Sequence, residues 1–235
     1  PNVGEKQYGK ILEGIAKEIS KNGYSIVFMD SENDLKTEKK WLEEVKNQHM
    51  KGLILVPVCS ENKELRSALQ GLEAQGTAVV LTEKEVKNAG MDGVFADGFR
   101  GAYEGVCRLI EKGCKKICIA AGQTDHDTAL EERCRGCLQA LEDNGISAAE
   151  DMVLREAEDI TRMFQGKKLP DAFFALNETI ADLCVKELFK CKKQGAEKVV
   201  FMGMDAESTA KILGEEMLSV ERDGRKQGKE AAKLL

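Results

Sequence analysis

Polar side chains in this chain recur at one kind of place, the end of a short apolar run. Asp30 closes "YSIVFMD", Asp97 closes "DGVFAD", and Asp205 closes "KVVFMGMD". Cys59 and Ser60 follow Pro57, Gly122-Gln123 follow "KICIAA", and Asn177 ends "DAFFALN". A carboxylate accepts hydrogen bonds from hydroxyl and N–H groups, and an amide both donates and accepts. That set of groups can hold a small polar molecule. Asp30, Asp97 and Asp205 could also hold Mg²⁺, but they are spread over two halves of the chain. Asn177 has two readings: it faces a ligand, or it caps the helix that begins beside Thr179.

The other reactive side chains offer less. His49 ends a helix, where a cation suits the dipole. His126 sits between Asp125 and Asp127. Neither has a nucleophile partner in sight, so catalysis is not expected. The chain lacks a Gly-x4-Gly-Lys-Ser/Thr loop, a Gly-x-Gly-x-x-Gly after a strand, a Gly-x-Ser-x-Gly elbow and a His-Glu-x-x-His helix. No metal or cofactor is called for. Cys134-x2-Cys137 has half the spacing of a zinc site, yet Leu130, Cys134, Cys137, Leu138 and Leu141 form one apolar helical stripe. The eight cysteines read as thiols in or beside the core, which favours the cytoplasm.

These residues must be positioned by a repeated unit. Apolar runs alternate with stretches of 3.6-residue period, at roughly 7–22, 34–49, 61–75, 98–112, 128–144, 178–194, 206–214 and 224–235. Gly23, Gly113, Gly145 and Gly195 stand where helices should stop. The strands are continuously apolar, as in a parallel sheet covered on both faces. All their carboxyl ends then lie on one edge, where α/β sheets bind ligands. With 235 residues, 42% of them hydrophobic, the chain can build one large core or two small lobes. Its net charge of -6 makes it a poor grip for nucleic acid, and no apolar run is long enough to span a membrane.

Seven stretches in fixed order resemble the effector-binding domain of the lac/gal repressor (LacI/GalR) family. They are "YGKILEGIAKEISKNGYSIVFMDSEND", "MKGLILVPV", "ADGFRGAYEGVCRLIEKGCKKICIAAG", "RCRGCLQALEDNGI", "LPDAFFALNETIAD", "VVFMGMDAES" and "MLSVERDGRKQGKEAAKLL". Departures from the family pattern include Lys51, Cys114, Glu178, Met204 and Ala206. The resemblance implies a periplasmic-binding-protein-like type I fold: α/β, with two doubly wound parallel-sheet lobes joined by a hinge. Lobe one would take 1–97 plus 224–235, and lobe two 98–219. The family begins with a strand before Pro1 that sits mid-sheet, so this chain is expected to lack that strand, the C-terminal end and the DNA-binding headpiece.

The resemblance also implies a site. Arg133, Asn177 and Asp205 match family residues that contact or orient the effector, and Tyr8 takes the place of an aromatic that packs on it. Phe99, Gln123 and Asp127 are weaker candidates in loops opening on the cleft; Asp30 and Cys59 are weaker still. The implied function is a ligand-sensing domain of a bacterial transcription regulator, not an enzyme. The expected effector is a sugar, sugar phosphate or nucleobase. The expected assembly is a homodimer that reaches DNA only through an N-terminal helix-turn-helix. Alternatives are a solute-binding protein of a sugar transporter, or the sensor of a signalling enzyme.

Overall fold

The computed structural model describes residues 6–147, 152–166, 168–191, 198–213 and 217–235. The chain divides into two compact units: Pro1–Ala96 with His126–Ala129 and Asp223–Leu235, and Asp97–Asp125 with Leu130–Arg222. The first unit opens with α1 (Lys6–Lys21), α2 (Leu35–Asn47), β1 (Gly52–Leu55), α3 (Lys63–Ala74), β2 (Ala78–Thr82) and β3 (Asp92–Val94). The second follows with α4 (Gly98–Glu111), β4 (Ile117–Ala120), α5 (Thr128–Asp143), β5 (Val153–Leu154), α6 (Ala157–Gln165) and β6 (Ala172–Ala175). It closes with α7 (Glu178–Lys190), β7 (Val200–Met204), α8 (Glu207–Leu213) and β8 (Met217–Val220), and the chain returns to the first unit as α9 (Gly224–Leu234).

Local sequence sets these boundaries. Asp34, Asn62, Asp97, Asn177 and Asp223 each take the N-cap position and accept from a backbone N–H three residues on. Each such cap stabilises by about 1 kcal/mol. Gly23, Gly113 and Gly145 have φ of 76°, 89° and 68°, the left-handed turn that ends a helix. The expected stop at Gly195 lies outside the described residues.

In the second unit the strands pair in parallel in the order β5-β4-β6-β7-β8. Registers run Ile117↔Ala172, Ala172↔Val200 and Phe201↔Met217. Adjacent strand residues point to opposite faces. Ile119, Phe174 and Met202 pack with Val106, Leu109, Cys137 and Leu141 of α4 and α5. Cys118, Phe173 and Phe201 pack with Ile160, Phe164, Cys184 and Val185 of α6 and α7. Both faces are covered, which is why the strands read as unbroken apolar runs. Cys134 and Cys137 therefore belong to the core stripe. Burial pushes the Cys137 thiol well above its usual range and the Cys184 thiol up to about 12. Neither the two-residue strand β5 nor the helix α6 was expected from the sequence.

In the first unit the described strands pair in parallel in the order β1-β2-β3. Leu42, Val45, Leu65, Leu69, Leu72, Val79 and Leu81 form its core. Helices α1 and α9 meet at backbone distance: a Cβ on Gly228 would stand 2.0 Å from the Ile11 carbonyl oxygen, and one on Gly14 2.1 Å from that of Arg225. Gln227 of α9 ties this pair to the sheet by donating to Thr82 Oγ1 and the Val94 carbonyl.

One expectation is corrected here. The run Tyr24–Asp30 forms no strand, and Tyr24 and Val27 are 61% and 62% exposed. A strand exists only through a ladder with a neighbour, and among the described residues nothing pairs with this run. It borders instead a groove of about 970 Å³, together with Tyr8, Trp41 and the β1 residues Gly52–Leu55. Ser31 Oγ and Glu38 Oε1 are buried on the groove's wall with no partner among the described residues. Burial raises the Glu38 carboxyl above its ordinary value, against the opposing effect of the Val58 N–H that it accepts.

Candidate functional site

The polar groups that the second unit brings together lie at the carboxyl ends of β6, β7 and β8. The strand β6 runs on through Leu176 to Asn177, where α7 begins. Asn177 Oδ1 accepts from Ile180 N at 2.8 Å, so this oxygen caps the helix. The capping reading therefore holds for Oδ1. Asn177→Ala is expected to cost about 1 kcal/mol, the usual worth of such a cap. Asn177→Asp should keep the cap and its stability in a urea melt, and lose only the Nδ2 donor.

Asp205 follows β7 directly. Its φ is 56°, a left-handed conformation that Asp tolerates better than most residues. Holding a non-glycine residue there costs on the order of 1–3 kcal/mol, and such residues cluster at functional sites. The surroundings fix it: Asp205 N donates to the Val220 carbonyl at 2.9 Å, tying the ends of β7 and β8. Among the described residues its side chain accepts from no backbone N–H; instead, Oδ2 receives Nε of Arg222 at 2.8 Å and also Nη2 of the same residue. Oδ1 is buried and has no partner among the described residues. Leaving a buried acceptor unmet costs about 1–3 kcal/mol, and more for a charged group.

Arg133 lies in the second turn of α5. It is 5% exposed, buried although Glu131 and Glu132 precede it in the sequence. Its Nη1 donates to the Leu176 carbonyl at 2.7 Å, and its Nη2 stands 3.8 Å from Asp205 Oδ2. One guanidinium thus links the end of β6 to the end of β7. Buried Arg133, Leu176 and Asp205, with half-buried Asn177 and Arg222, form a donor and acceptor cluster at one sheet edge. Such a cluster can bind and orient a polar molecule; it contains no nucleophile with an adjacent base.

The other expected residues lie elsewhere. Gln123 Nε2 donates to the Glu156 carboxylate. Phe99 stacks with Tyr103 and lies under the Arg135 guanidinium, 5.1 Å from ring centre to charge. Asp127 belongs to the first unit, where it meets Lys84 at 2.8 Å and accepts from Ala129 N. Tyr8 lines the first unit's groove. Asp30 accepts from Glu32 N, and its carbonyl accepts from Trp41 Nε1. Cys59 is half-buried in the loop after β1. Among the described residues no group of three His, Cys, Asp or Glu is placed to hold a metal ion. Arg222 was not foreseen; the signal was its place two residues past a strand end, in the same row as Asp205.

Comparison with known proteins adds a family. A profile described as periplasmic binding proteins and sugar binding domain of LacI family matches residues 5–235. The NTD biosynthesis operon regulator NtdR of Bacillus subtilis is 24% identical over 91% of this chain and 65% of its own length. The HTH-type transcriptional repressor PurR of Aliivibrio salmonicida is 22% identical over 97% of this chain and 69% of its own. The chain thus spans about two thirds of the length of these curated relatives. A solved LacI family transcriptional regulator from Enterococcus faecium, with bound ribose, superposes with a TM-score of 0.81 at 17% identity, covering 100% of this chain and 86% of that one.

Proposed function

Because the chain belongs to the family of periplasmic binding proteins and LacI-type sugar binding domains, we propose that it is the effector-binding portion of a transcription regulator. Its α/β fold with parallel sheets is the fold of that family. The effector is a small polar molecule: a sugar, a sugar phosphate or a nucleobase. It binds at the strand ends of the second unit, against Asp205, Asn177 and Arg133. The observation that carries this reading is Asp205, strained in backbone and buried, with one carboxylate oxygen that no described group meets. Native proteins rarely leave such an atom unsatisfied. A hydroxyl or ring N–H of a ligand satisfies it.

The regulator reading rests on the two relatives' names and on the solved regulator with bound ribose. A net charge of -6 argues that DNA is met by another part of the protein, and a homodimer would present two such parts. Effector binding then acts by its difference in affinity between two states of the regulator. Among the described residues no helix is long and apolar enough to cross a membrane.

The test is a thermal-shift screen with D-ribose, D-glucose, D-galactose, ribose 5-phosphate, hypoxanthine and guanine. A ligand present at 100 times its dissociation constant should stabilise by about 2.7 kcal/mol. At least one compound is expected to raise the melting temperature in a concentration-dependent way. A flat response across the panel would sink the reading.

A further inference from the structure

Arg222 uses its guanidinium in an uneven way. Both Nε and Nη2 donate to the same oxygen of Asp205, Oδ2. A guanidinium that merely neutralised a carboxylate would do so best fork to fork, with one N–H on each oxygen. Arg133 also approaches Oδ2, at 3.8 Å. The other oxygen, Oδ1, is buried and accepts from no group among the described residues. The pair is itself nearly sealed, with side-chain exposures of 12% for Arg222 and 6% for Asp205. Asp205 therefore offers one oxygen to a ligand, where an unengaged carboxylate offers two.

We propose that Arg222 is a specificity-determining residue of the effector site: by occupying Oδ2 of Asp205 it leaves Oδ1 as that carboxylate's only acceptor for the effector, which presents one O–H or N–H donor there and not a pair of vicinal hydroxyls. This rests on Asp205 facing the effector, as proposed above. Vicinal hydroxyls bind a carboxylate by donating to both of its oxygens. Each oxygen has room for about two donors, and on Oδ2 two N–H groups have taken it. A second hydroxyl would be left without an acceptor, a loss that buried sites discriminate against strongly. A ring N–H of a nucleobase, or an isolated hydroxyl, loses nothing.

The experiment is calorimetric titration of D-ribose and hypoxanthine into the wild type and into Arg222→Gln, Arg222→Lys and Asp205→Asn. In Arg222→Gln the ratio of the two dissociation constants should move at least tenfold toward D-ribose. Arg222→Lys keeps the charge without the fork, and should move the ratio in the same direction by less. It carries the test alone if the glutamine variant does not melt cooperatively. Asp205→Asn should weaken whichever compound binds by tenfold or more. A ratio that stays within twofold of wild type overturns the proposal and leaves Arg222 a partner in an ion pair. A wild type that binds D-ribose and not hypoxanthine overturns it too. In both of these cases the effector-binding reading survives. If no compound of the thermal-shift panel binds the wild type, that reading falls and this proposal with it.

Discussion

Asp205→Ala is expected to lower the free energy of unfolding by about 3–5 kcal/mol, the range for removing one member of a buried ion pair. The reason is the placement of two guanidiniums. Arg133 is 5% exposed, the Arg222 side chain is 12% exposed, and both converge on Asp205 Oδ2. Alanine takes away the carboxylate they share. It also leaves a β-carbon at a φ of 56°, which alanine tolerates less well than aspartate. Asparagine accepts the left-handed backbone and keeps an oxygen in place, so Asp205→Asn should cost clearly less. Urea denaturation measures both: the midpoint should fall with the slope unchanged. A loss below about 1 kcal/mol for Asp205→Ala, the worth of an exposed pair, would contradict the buried cluster.

Phe173→Ala should be as severe, at about 3–5 kcal/mol, from lost burial plus the cavity left behind. Phe173 is fully buried on the central strand β6. Its ring packs against those of Phe164, centroids 4.6 Å apart, and Phe201, 5.4 Å apart, which also contact each other at 6.3 Å. The stack joins α6, β6 and β7, two of which end in the candidate site. Phe173→Leu keeps most of the volume and should cost less than about 1.5 kcal/mol, as shape-conserving swaps do. If the alanine variant unfolded at the wild-type midpoint, the core assigned to this face of the sheet would be wrong.

How much of this was legible in the sequence depended on what each residue answers to. The runs "KICIA", "AFFA" and "VFMGM" could be read as buried parallel strands because both faces of each are covered, so no position needed to be polar. Helix limits came within a few residues wherever a cap or a left-handed glycine marks them, as at Asp97 and Gly113. Val153–Leu154 was too short to show a period, and the nine-residue α6 gave only Ile160, Met163 and Phe164 as large apolar positions. Tyr24–Asp30 has the composition of a strand, but composition does not supply a partner strand. In the site, Arg133, on a helix, was implied only by the family resemblance, whereas Asp205 could be read from its place at the carboxyl end of a strand. Arg222 stands there as well, yet a flexible side chain of this length can reach many partners, and only the fold selects Asp205. Gln123 also follows a strand of the second unit's sheet but turns to Glu156, and Asp127 belongs to the first unit, where it meets Lys84.

The central claim is that a small effector is held by the Asp205 cluster. Its most direct measurement is calorimetric titration of the strongest thermal-shift hit into wild type and Asp205→Asn, both shown to melt cooperatively. The account predicts binding to the wild type that is weakened tenfold or more, about 1.4 kcal/mol, by the change of one buried oxygen to an amide. Equal affinity for the two proteins would contradict it and put the effector somewhere other than these strand ends.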